Sequence, residues 1–157
     1  YKVKNTVNKI CKMENKANLN SKKELINFQK KVIQNRIQLI ALLTKLKKMR
    51  KKIIIISAPA KGMTLLNYCK IDNDFVDYAT EKSSLKQNLF TPGGNIPVYS
   101  DDKILKSNPD YALLLAWNFS KEIINNNIQY LKKGGKFIIP IPNIKIISHK
   151  KNEKNKN

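Results

Sequence analysis

The run IIIISAPAKGMTLLNYC, residues 53–69, decides how this chain folds. Four consecutive isoleucines are too few for a buried helix and match a short strand covered on both faces. Small residues, one lysine and one glycine follow. An amphipathic segment then reads as a helix over 62–69. A strand that enters a helix through a tight turn is the start of a βα unit.

The same alternation recurs downstream. Strands are expected at 75–80, 96–99, 111–117 ("YALLLAW") and 137–141, with one more at 144–147 across Pro142. Helices are expected at 101–106 and from Ser120 to Leu131, the latter ended by Gly134 and Gly135. Upstream, Ser21 followed by Glu24 makes a capping-box pattern. It opens a long helix over about 22–50, in which Leu25, Phe28, Val32, Leu39, Leu42, Leu46 and Met49 recur at helical steps. The expected fold is α/β: an open, mostly parallel, Rossmann-like sheet flanked by helices and preceded by a long N-terminal helix. Residues 1–20 read as a basic leader, 21–147 as the domain, and 148–157 as a disordered basic tail.

The 157 residues allow one domain with one core, and a formal charge of +20 raises the question of nucleic acid. The charge is unevenly spread: net +14 over residues 1–52, +3 over 53–147 and +3 over 148–157. Lysine outnumbers arginine 29 to 2, whereas phosphate and guanine readers favour the arginine fork. No aromatic stacking surface accompanies the lysines, so a nucleic-acid partner is disfavoured. Cys11 and Cys69 form no metal or redox spacing; Cys69 falls on an apolar helical face and is expected to be a buried thiol. A cytoplasmic, reducing location fits. No apolar run approaches a membrane span, and the N-terminus lacks a signal-peptide core. The chain opens on Tyr1, which suggests a piece of a longer protein.

In open parallel sheets ligands bind at the carboxyl ends of the strands, where the strand order reverses. There, Ala58, Pro59, Ala60, Lys61 and Gly62 offer close backbone approach, a helix N-terminus and one ammonium. The guest they suit is a phosphate or pyrophosphate; the competing reading is a tight turn with Gly62 needed for packing. Glu81, after the second strand, is placed either to accept from ribose hydroxyls or to be a solvated charge. Asn118 leaves the end of a buried strand and suits a sugar or base edge, while Trp117 is core or a stacking platform. The loop TPGGN, 91–95, either folds over the cleft, bringing Asn95 with it, or is an ordinary glycine turn.

The blocks SAPAKGMTLLNYCKID, TPGGNIPVYS, PDYALLLAWNFSKEI and GGKFIIPIP, in this order, resemble the C-terminal domain of S-adenosylmethionine-dependent nucleotide-sugar C-methyltransferases. The resemblance runs from about Lys22 to Ile147. It implies a domain that helps hold a nucleoside-diphosphate sugar against a separate methyltransferase domain, in cis or in trans. S-adenosylmethionine would be bound by that other domain, and the basic leader, 1–20, would be the end of that missing domain or the linker from it. It also implies that residues 58–62 face the ligand, with Asn118 beside them. Two positions depart from the family pattern: Ser57 replaces a usual glycine, and Asn95 replaces the histidine of PGTHIP. The cleft offers no histidine or paired carboxylates, and the sole histidine, His149, lies in the tail. Proton abstraction beside a sugar carbonyl requires a positioned base. The chain is therefore expected not to complete methyl transfer alone. The alternative is a stand-alone module that binds a nucleotide or nucleotide-sugar without chemistry.

Overall fold

The computed structural model describes residues 4–149. Six strands form one sheet: β1 (Ile53–Ile56), β2 (Ala79–Thr80), β3 (Val98–Tyr99), β4 (Tyr111–Leu114), β5 (Lys136–Ile139) and β6 (Lys145–Ser148). Their order is β3-β2-β1-β4-β5-β6. The first five are parallel, and β6 runs antiparallel beside β5. This is the order of a doubly wound dinucleotide-binding sheet, with the reversal between β1 and β4.

The isoleucine run accounts for the layering. Side chains alternate across a strand, so Ile53 and Ile55 enter one core while Ile54 and Ile56 enter the other. All four are 2% exposed or less, so β1 is the covered centre of the sheet. On the first face lie α2 (Lys22–Lys48), through Leu39, Leu43 and Leu46, and α3 (Ala60–Cys69), through Leu66 and Cys69. On the second lie α4 (Asp102–Ser107), through Ile104, and α6 (Ile128–Lys132), through Tyr130 and Leu131. Cys69 is a buried thiol, and burial pushes its pKa up.

Ser21 caps α2 as expected, its hydroxyl accepting the Glu24 N–H at 3.3 Å. The leader holds a regular helix, α1 (Asn5–Lys16), with no buried residue. Three expectations are corrected in detail. The strand expected over 75–80 begins late, because Asp72 turns the chain by accepting from the backbone of Asp74, Phe75 and Val76. Strand β4 stops at Leu114, and Trp117 stands in a 3-10 turn, Trp117–Phe119. The helix expected over 120–131 breaks into α5 (Ser120–Asn126) and α6. There the Asn127 side chain donates to the Ile123 carbonyl at 2.8 Å and interrupts the helix. Of the tail expected from 148, residues 150–157 lie outside the described residues. No described helix is long and apolar enough to cross a membrane.

Candidate site at the β1–β4 crevice

The corner after β1 is built by a left-handed residue. Ser57 has φ +66°, a region that strains any residue with a Cβ. The glycine usual in the resembling family is thus explained by the backbone itself. Pro59 is the N-cap of α3 and brings no side-chain cap. The first-turn amides of Ala60 and Lys61 therefore have no acceptor among the described residues. Gly62 and Met63 already donate to the Pro59 carbonyl, at 2.8 and 3.2 Å.

Glu81 is anchored to this corner. Its Oε2 accepts the Ala58 N–H at 3.0 Å and the Lys86 ammonium at 3.5 Å. Its Oε1 accepts the Lys82 and Ser83 amides at 3.0 and 3.5 Å. Burial alone would raise this carboxyl. The Ala58 amide, the Lys86 charge and the other two amides outweigh it and hold the pKa below the usual value. Lys86 also donates to the Ala58 carbonyl at 3.1 Å, closing a clamp around residue 58.

Across the strand reversal, the Lys61 ammonium lies 4.6 Å from the centroid of the Trp117 ring, a cation–π distance. Asn118 follows on the same turn, exposed, and no hydrogen bond among the described residues holds its side chain. Gly62 is buried against β4: a Cβ there would sit 2.7 Å from Leu115 Cβ. Its role is close packing of α3 on the sheet. The buried Thr80 hydroxyl, at the carboxyl end of β2, has no hydrogen-bond partner among the described residues.

The structure thus gathers residues 58–62, Glu81 and Asn118 at the carboxyl ends of β1, β2 and β4. It leaves Asn95 apart. Residues 88–90 pair antiparallel with 96–98, so TPGGN is a hairpin tip at the amino end of β3. The tip packs on the far end of α3, where added Cβ atoms on Gly93 and Gly94 would meet Asn67 and Ile71. Sequence reasoning missed Lys86, which sits in a 3-10 turn, Ser84–Lys86. No periodicity of helix or strand relates it to Glu81, so no sequence signal marked it.

A Rossmann-like domain, with a helix N-terminus and a lysine at its strand reversal, is the class that fold and site define. The chain belongs to the C-methyltransferase C-terminal domain family, whose pattern matches residues 1–142. It is 42% identical over 91 residues to the C-methyltransferase NovU of Streptomyces niveus, a match covering 58% of this chain and 22% of NovU. The matched segment thus spans about a fifth of that relative's length. A crystal structure of UDP-D-quinovosamine 4-dehydrogenase from Vibrio fischeri aligns with a TM-score of 0.43 and 21% identity, over 62% of this chain and 93% of that one.

Proposed function

We infer that this chain is the nucleotide-sugar-side domain of an S-adenosylmethionine-dependent sugar C-methyltransferase. It binds a nucleoside-diphosphate sugar at the β1–β4 crevice and presents the sugar to a separate methyltransferase domain. The observation that carries this reading is the pair of unpartnered amides, Ala60 and Lys61, beside the Lys61 ammonium at the strand reversal. The helix dipole and the ammonium favour a diphosphate there. Asn118 takes the sugar or base edge. Glu81 supports the reading as the residue that fixes Ala58, since its lone pairs are engaged by three amides and Lys86.

S-adenosylmethionine supplies the methyl group from the partner domain, and the base that deprotonates the sugar is supplied outside this chain as well. The titratable groups at the corner are Lys61, Glu81, Lys82 and Lys86, and Glu81 is held in its ionised, bonded form. That observation also favours the second reading, a module that binds without chemistry. A buried, unpaired Cys69 fits a reducing, cytoplasmic compartment.

Trp117 is the sole tryptophan and lies against Lys61, so its fluorescence reports on the crevice. Titration with dTDP- and UDP-sugars is expected to change its emission with a micromolar Kd. Lys61→Ala is expected to weaken that Kd about tenfold or more, the loss of a charge-assisted hydrogen bond. Unchanged affinity in Lys61→Ala overturns the assignment.

A further inference from the structure

Trp117 is a large aromatic side chain that both cores leave out. Leu113, Leu114 and Leu115, which lead into it, are fully buried, and Ala116 is 8% exposed. The indole itself is half-buried and belongs to neither core cluster. Its turn is closed by the Phe119 N–H, which donates to the Ala116 carbonyl at 2.9 Å. The ring is thus mounted on a buried strand end, at the crevice, without filling the interior.

Gly62 decides what faces it. Lacking a Cβ, it lets α3 close on Leu115, where an added Cβ would stand 2.7 Å from Leu115 Cβ. That approach brings the preceding residue, Lys61, over the indole, its ammonium 4.6 Å from the ring centroid. No carboxylate pairs with Lys61 among the described residues. The charge rests on the ring face, held by a cation–π attraction. At a partly exposed site such a contact is weaker than a charge-assisted bond to a phosphate oxygen.

We propose that Trp117 is the surface on which the base of a nucleoside diphosphate stacks, and that Lys61 covers this surface until the diphosphate draws it away. The proposal rests on the functional reading above and adds to it the residue that tells a nucleoside diphosphate from a bare diphosphate. An anion at the Ala60 and Lys61 amides takes the ammonium off the ring and bares one indole face. Every base has a π face that such a ring accepts, so Trp117 contributes affinity for a base without choosing among bases. Asn118 stands about 120° further round the 3-10 turn and meets a different part of the same ligand. Because Lys61 leaves only for an anion, the two halves of the ligand cooperate, and a nucleoside without phosphates meets a covered ring.

The test is isothermal titration calorimetry of the whole chain with thymidine, inorganic pyrophosphate and dTDP. The wild type is expected to bind dTDP about tenfold or more tightly than pyrophosphate, and thymidine more weakly than either. Trp117→Leu, which keeps an apolar side chain and removes the π face, is expected to bind dTDP and pyrophosphate alike, with pyrophosphate affinity unchanged. Trp117→Phe is expected to keep most of the preference, and circular dichroism checks that both variants are folded. Emission of Trp117 in the wild type tests the same point with no substitution: dTDP is expected to quench it by stacking, and pyrophosphate is not. Equal wild-type affinity for pyrophosphate and dTDP, thymidine binding as tight as dTDP, or the same emission change with both diphosphates overturns the proposal. So does a folded Trp117→Leu that loses both ligands equally, or that weakens only the sugar-bearing nucleotide. Each of those results leaves the diphosphate reading standing, whereas a wild type that binds neither pyrophosphate nor dTDP overturns both.

Discussion

Ser57 and Glu81 show how single residues shape the corner. Ser57 bears a left-handed backbone at φ +66° with a Cβ attached, a strain of about 1–2 kcal/mol. Ser57→Gly removes that strain and adds unfolded-state entropy of about 0.5–1 kcal/mol. The variant is expected to be more stable by about 0.5–1 kcal/mol in urea denaturation. The position of Glu81 was legible as an acid after the second strand, because the end of a second parallel strand is a fixed landmark. Its partners were not legible, because the Ala58 amide and Lys86 reach it only through the tertiary fold. Its pKa is depressed from an ordinary 4.5, so its contribution is present above that value. The contribution is lost as pH falls, since the unfolded chain takes up its proton before the folded one. Glu81→Gln is expected to cost about 1–3 kcal/mol at neutral pH. That deficit should shrink as thermal denaturation is repeated from about pH 5 down to about pH 3.

Helices and strands were read best where the pattern was long or unbroken. The isoleucine run and YALL gave the two central strands, because continuous burial needs continuous apolar sequence. The weak elements were short and decided by local side-chain bonds. Asp72 delays β2, and Asn127 splits the last helix pair. Asn95 stands apart from the crevice for a topological reason: a loop that precedes a strand lies at its amino end, across the sheet from the crevice. In α2 one apolar stripe carries two environments. Leu43→Ala is expected to cost about 2–5 kcal/mol, because Leu43 is fully buried. Leu25→Ala, on the same face but 58% exposed, is expected to change stability by about 0.5 kcal/mol or less. Parallel urea denaturation of the two variants checks the contrast.

At the scale of the molecule, charge and apolar surface are divided between two tasks. The middle of the chain carries little net charge and builds the sheet, while residues 1–52 carry +14 and an uncovered apolar face. The order β3-β2-β1-β4-β5-β6 places the strand reversal beside α3, the one place where Ala60, Lys61 and Asn118 converge. The central claim is that this convergence binds a diphosphate. Backbone amide resonances, followed by ¹⁵N NMR during titration with dTDP, test it most directly. Ala60 and Lys61 should shift most, the Asn118 side-chain amide should follow once the sugar is attached, and Ala58 should move little because Glu81 holds its N–H. Shifts centred on residues 91–95, or none at Ala60 and Lys61 at millimolar dTDP, would contradict the account.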